Sequence, residues 1–189
     1  MDKNIDKTRK IVITALMSAI AVVLGWTHIG FIPWFGGVSL TILHIPVVIA
    51  AIIAGPISGL LVGLIFGVFS MIQAAIAPTG PTDVWFTNPL LAVLPRLFIG
   101  PVAWLVAQAL KKWPLLALSL GGAAGSLTNT GLVLGMIGIL GYLPWTVVGG
   151  VAVANGLPEM LVSAMITLAV VAAYWKIPTR KKGGADLSD

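Results

Sequence analysis

The chain has no cysteine, and only 9% of its residues are charged. The first absence excludes disulfides, thiol catalysis and thiolate-bound metal. The second lies far below the ~25% of charged residues in soluble domains, so the chain also lacks the makings of an aqueous surface. Acidic groups are scarce, six against eleven lysines and arginines. Two histidines, His28 in a connecting segment and His44 in an apolar run, make a poor metal site. No Gly-x-x-x-x-Gly-Lys-[Ser/Thr] phosphate loop occurs, and neither His-Glu-x-x-His nor Gly-x-Ser-x-Gly does. No catalytic residue, metal or cofactor is expected. Low-complexity tracts, linkers and long-period repeats are missing as well, and residues 1–189 are read as one domain.

What is present is apolar: 58% of 189 residues. At ~20 residues per span, the expectation is an all-α membrane protein with six transmembrane helices in one bundle. The spans are read as Ile11–Thr27, Val38–Ala54, Ile57–Ala77, Asn88–Leu110, Leu115–Leu140 and Val147–Trp175. The basic start and first apolar run resemble a signal peptide, but no small-residue cleavage site follows near His28–Trp34. The first span is therefore read as retained. Glycines at 55, 59, 63 and 67 recur about once per helical turn and predict a groove for an adjacent helix.

Charge sets the expected orientation. Ten of the eleven basic residues lie in the two tails or at Lys111–Lys112, and the other is Arg96. With six spans and both termini cytoplasmic, the connections 28–37, 78–87 and 141–146 fall outside and hold no Lys or Arg, as the positive-inside rule requires. The net charge of +5 is thus read as a topology signal for a multi-pass cell-membrane protein in a lipid bilayer, with no nucleic-acid partner. Among the outer connections, the aromatic stretch HIGFIPWFGG with Phe31, Trp34 and Phe35 reads either as an interfacial belt or as a hydrophobic lid.

The polar residues inside the spans are the candidate site. Arg96 sits at membrane depth in FTNPLLAVLPRLFIG (86–100), one residue after Pro95, which removes a backbone donor and disturbs the helix. Such a charge costs at least ~2.5–3.5 kcal/mol and normally faces a partner or a cavity. Asn88 is a plausible N-cap eight residues earlier. Ser126 and Asn129 share a face of the fifth span. Asn155, Glu159, Ser163 and Thr167 form a polar stripe on the sixth, improbable against lipid. Gln73 faces a ligand or a neighbouring helix. Two readings stand side by side: a buried Arg96–Glu159 ion pair, or an outer pocket. In the pocket, Arg96 offers its fork to a carboxylate or phosphate, Asn88, Asn129 and Asn155 supply neutral hydrogen bonds, and Trp34 or Trp85 supplies a wall.

Three segments then look familiar together: Phe86-Thr-Asn-Pro-Leu-Leu-Ala-Val-Leu-Pro-Arg96, Gly125-Ser-Leu-Thr-Asn-Thr130 and Asn155-Gly-Leu-Pro-Glu159. With Ala15-x-x-x-Ala19 on the first helix and Ser18 beside it, the whole chain resembles the substrate-binding S components of energy-coupling factor (ECF) vitamin transporters. The resemblance implies a non-catalytic subunit that captures a vitamin from outside under a lid between helices one and two. It implies docking through Ala15, Ser18 and Ala19 onto a transmembrane coupling subunit, with two cytoplasmic ATPase subunits hydrolysing ATP. The pantothenate-type members are the nearest likeness, with riboflavin, cobalamin or another vitamin as alternatives. A stand-alone proton-coupled secondary transporter using Arg96 and Glu159, or a ligand-free membrane assembly protein, are the readings from other classes.

Overall fold

The computed structural model describes residues 3–33, 39–78 and 80–177. Helix α1 spans Lys3–Trp26. A short antiparallel pair follows, β1 Phe31–Pro33 with β2 Ser39–Thr41, in the register Phe31↔Thr41. Then come α2 Ile45–Ala54, α3 Pro56–Ile76, a 3-10 turn at Asp83–Thr87, α4 Pro89–Ala92, α5 Leu94–Ala109, α6 Pro114–Ile139 and α7 Trp145–Tyr174. Helices α2 to α6 each carry proline in their first two positions, where the missing N–H would have had no intrahelical partner anyway.

Five stretches are long and apolar enough to cross a bilayer: Asp6–Trp26, Pro56–Ile76, Pro89–Ala109, Pro114–Ile139 and Trp145–Tyr174. Their outward faces carry Leu16, Leu64, Phe98, Leu105, Leu127, Leu161 and Met165, all exposed, as a lipid-facing surface requires. The expected second span, Val38–Ala54, departs from a plain membrane helix. Its helical part has 10 residues, ~15 Å at 1.5 Å per residue, and every one except Ile53 is buried. It packs against α1, α3, α5, α6 and α7, so its uniformly apolar sequence matches a core helix surrounded by protein. Just before it, Ser39–Thr41 form the short strand β2, a local exception within an otherwise helical architecture.

The fourth span also departs. It is split at Val93 into α4 and α5. Pro95 has no N–H for the Leu91 carbonyl four residues back, and the side chain of Arg96 donates to that carbonyl instead through Nη1. The glycine stripe of α3 is what lets this broken segment approach. A Cβ at Gly59 would lie 2.9 Å from the Gly100 Cα, one at Gly63 would strike the Arg96 carbonyl oxygen, and one at Gly67 would lie 2.8 Å from the Ala92 oxygen.

The two ends of the bundle differ chemically. At one end Lys7 and Lys10 border the Gly55 turn between α2 and α3. There Arg9 donates through Nε to the Tyr174 hydroxyl at 2.8 Å and lies over its ring. Gly121 of α6 sits near Ala107 and Ile52, which brings the Lys111–Lys112 turn to this same end. At the other end Gln73 of α3 donates to the Gly25 carbonyl of α1 at 3.1 Å. Trp85 stacks on Tyr142 there, with centroids 5.2 Å apart.

Candidate functional site

Arg96 stands on the first turn of α5, immediately after the break that Pro95 imposes. Only 6% of its surface is exposed. Its guanidinium is 5.3 Å from the centre of the Phe66 ring on α3 and 5.0 Å from that of Phe86 in the 3-10 turn. Two aromatic faces and the Leu91 carbonyl therefore fix the plane of the fork. Nε is buried without a hydrogen-bond partner. Among the described residues no carboxylate pairs with this cation.

Glu159 is held elsewhere. Its Oε1 accepts from the Thr41 backbone N–H at 2.6 Å and the Thr41 hydroxyl at 3.1 Å, and its Oε2 accepts from the Thr130 hydroxyl at 2.9 Å. Three neutral donors from β2 and α6 thus satisfy a carboxylate that is 6% exposed. Among the described residues the Arg96–Glu159 pair of the first reading does not form. Glu159 instead ties the end of the strand pair to α6 and α7.

A cavity of about 100 Å³ lies at the end away from the lysines. Gln73, Arg96 and Asn129 line it with Asp83, Ser70 and Thr41, and Phe31, Leu43, Phe66, Ala74 and Phe86 make its apolar walls. It is smaller than the ~300–1,000 Å³ of sites that enclose drug-sized ligands, so taking up a vitamin would require these walls to part. Asn129 brings a buried Oδ1 with no partner, and Gln73 also lies 3.4 Å from the His28 ring. Next in sequence to the cavity residue Leu43, His44 is fully buried, with neither ring nitrogen partnered, and on α6 the Ser126 hydroxyl is likewise buried and unpartnered. No cluster of three metal-ligating side chains occurs among the described residues.

Of the residues singled out by sequence, Arg96, Asn129 and Gln73 meet in the cavity, and Glu159 reaches its wall through Thr41. Asn88 caps α4, accepting from the Leu90 N–H at 3.0 Å, and does not line it. Trp85 is occupied by its stack on Tyr142. Asn155 is buried on α7 one turn before Glu159, outside the lining. Trp34 lies outside the described residues. On α1, Ala15 and Ala19 face outward, and Ser18, buried with its hydroxyl unpartnered, lines one surface concavity together with Ala15. Sequence reasoning missed Thr41, Phe66 and Phe86. The alternation Ser-Leu-Thr-Ile at 39–42 was the available sign of a strand, and Phe66 sits three residues after Gly63 and directly before Gly67 but carries no distinguishing local signal.

The family described as "ECF transporter, substrate-specific component" matches residues 9–171. Among curated proteins, the "Pantothenic acid transporter PanT" of Lactococcus lactis subsp. cremoris (strain MG1363) is 30% identical over 191 residues, covering 90% of this chain and 96% of that protein. The "Pantothenate transporter PanT" of Leuconostoc mesenteroides subsp. mesenteroides is 31% identical over 144 residues, 68% of each chain.

Proposed function

Because the chain belongs to the family of substrate-specific components of ECF transporters, we propose that it binds pantothenate in the cavity around Arg96. The observation that carries this reading is a buried guanidinium with an unpartnered Nε and no carboxylate partner among the described residues, in a cavity walled by aromatics. A desolvated cation is stabilised by an anion that satisfies its remaining donors. Pantothenate offers a carboxylate for Arg96, together with an amide and hydroxyl groups for Gln73 and Asn129. Both pantothenate transporters resemble this chain over most of its length, which supports that ligand over other acids.

The protein is a multi-pass protein of the cell membrane, and the transport role is that of a binding subunit. In the proposed arrangement the chain crosses six times as one domain with both termini cytoplasmic. The supporting geometry is that α1 and α3 run parallel, with Lys7 beside the Gly55 turn and Gly25 bonded to Gln73. The segment between them must therefore return from one end to the other. Ser39–Ile42 extended spans ~13 Å and α2 ~15 Å, together close to the ~30 Å hydrocarbon thickness. A transmembrane coupling subunit would dock on the exposed Ala15–Ala19 face of α1, and two cytoplasmic ATPase subunits would supply the energy.

Titration calorimetry of the purified protein with pantothenate tests the assignment. Wild type should bind, and Arg96→Ala should lose ~1.5–3 kcal/mol, the worth of a hydrogen bond to a charged group. An unchanged affinity removes Arg96 from the site, and silence of the wild type removes pantothenate.

A further inference from the structure

The cavity around Arg96 carries a second charge, which the binding of a carboxylate leaves unexplained. Asp83 opens the 3-10 turn, and it and Arg96 are the charged residues of the lining. Its place is fixed by Gly80: Oδ2 accepts from the Gly80 N–H at 3.2 Å, and the Asp83 N–H donates to the Gly80 carbonyl at 3.1 Å. A carboxylate has about four lone-pair sites, so it can hold its own turn and still accept from a ligand. The two charges sit at different depths. Phe66 of α3 lies against Arg96. Gln73, also in the lining, comes two turns later, ~10 Å nearer the end of α3 at Ile76. The chain leaves α3 there, makes the 3-10 turn and returns through α4 to Arg96. Residues three apart in such a turn eclipse, so Asp83 shares the side of Phe86 but stands one repeat, ~6 Å, earlier. Phe86 is the residue whose ring covers the guanidinium. The cavity is therefore a slot with a cation at its inner end and an anion nearer the outer connection.

We propose that Asp83 sets which acid the slot accepts: a monoanion whose far end bears a hydroxyl, and not one whose far end bears a second negative charge. With a carboxylate on Arg96, the reading on which this rests, what reaches Asp83 is the other end of the molecule. A hydroxyl there donates to the Asp83 carboxylate in a charge-assisted hydrogen bond, about twice as strong as a neutral one. A phosphate or second carboxylate there sets like charges side by side, which is strongly unfavourable away from bulk water. Attraction and repulsion then work together in selecting the ligand. Pantothenate meets both conditions, with a carboxylate at one end and a primary hydroxyl at the other, and leaves Gln73 and Asn129 for the amide and the hydroxyl between. Its phosphate ester on the primary hydroxyl meets only the first. The slot thus separates the free vitamin from its phosphorylated form. A role confined to capping the turn at Gly80 would give no such selection, and Asn in place of Asp83 keeps that cap while removing the charge.

Calorimetry with three ligands tests it: pantothenate, the analogue with hydrogen in place of the primary hydroxyl, and pantothenate phosphorylated on that hydroxyl. Wild type should bind the deoxy analogue about tenfold to hundredfold more weakly than pantothenate, the worth of a hydrogen bond to a charged group. It should bind the phosphorylated form at least about hundredfold more weakly. Asp83→Asn should keep its thermal midpoint, bring the deoxy ratio below about tenfold and shrink the phosphate ratio by about tenfold or more. Asp83→Glu keeps the charge and should still reject the phosphorylated form. Similar affinities for the three ligands in wild type overturn the role of Asp83 and leave pantothenate binding standing. Wild-type ratios that persist in Asp83→Asn, or rejection lost in Asp83→Glu, do the same. Silence of wild type toward all three overturns the pantothenate reading, and the role of Asp83 with it.

Discussion

Arg96 and Glu159 are opposite charges buried in one bundle, and each has found different company. Two ring faces hold the guanidinium, while three neutral donors hold the carboxylate. Removing one partner of such a network leaves the others desolvated, at ~1–3 kcal/mol for each unsatisfied group. Glu159→Ala strands the Thr41 N–H and should lower the thermal midpoint clearly, whereas Glu159→Gln keeps a carbonyl acceptor and should lower it less. Equal midpoints for Glu159→Ala and wild type would show that the Thr41 bonds contribute nothing. Phe86→Leu removes one ring from the guanidinium, a contact worth ~0.5–2 kcal/mol, and should weaken pantothenate binding by that amount in calorimetry without unfolding the protein. Arg96 was legible from its chemistry alone, since a lone cation in an apolar run demands an explanation. Its aromatic neighbours were not, because Phe66 and Phe86 are ordinary residues for a membrane helix and an interfacial turn.

At the scale of elements, α3 and the α4–α5 break form a working pair. Gly63 touches the backbone of Arg96, and the obstacle facing a new methyl there is a carbonyl oxygen rather than a side chain that can turn aside. Gly63→Ala should therefore push α5 outward and cost ~1–3 kcal/mol as overpacking, with loss of pantothenate affinity in parallel. Gly131 on α6 has open space where a methyl would stand, with no neighbour within 4 Å, and Gly131→Ala should be neutral or stabilising, by up to ~1 kcal/mol from helix propensity. Thermal unfolding of the two variants separates the cases, and equal midpoints would dismiss the close-packing account. The four-residue spacing of these glycines announced the contact, though not its partner. The break at Val93 was foreshadowed by Pro95, but the strand pair was hidden because Gly, Pro and aromatic residues between His28 and Gly37 suit a belt or a loop equally well. Alternation over only four residues at 39–42 is too short to outweigh the apolar run that follows.

For the whole molecule, the distribution of lysine and arginine is the organising fact. Among the described residues, Lys7, Arg9 and Lys10, the Lys111–Lys112 turn and Lys176 lie toward one end, and the cavity lies toward the other. If the coupling subunit docks as proposed, the outward face of α1 separates docking from ligand binding. Ala15→Trp with Ala19→Trp should abolish energy-driven uptake in cells that supply the coupling subunits, while leaving calorimetric affinity for pantothenate within about twofold, well under the factor of ten that 1.4 kcal/mol represents. Loss of both activities would mean that the face packs internally. Composition and charge carried the architecture this far because burial and lipid exposure follow directly from hydropathy. Convergence of Gln73, Arg96 and Asn129 depends on helix rotation about axes bent at prolines, which spacing within any single span does not encode.

The ten residues of α2 have a consequence for biosynthesis. A segment this short and sheltered has too little length to be recognised as a membrane span on its own, yet it lies at the centre of the finished fold. It ends at Gly55, whose φ of 103° turns the chain straight into α3. The ribosome must therefore have delivered α3, itself 21 residues of apolar helix, before α2 can settle. The pair is expected to enter the bilayer as one unit. A nascent chain halted after Ala54 should leave 39–54 accessible to a membrane-impermeant label, and one halted after Ile76 should protect it. Protection in the shorter chain would mean that α2 inserts alone.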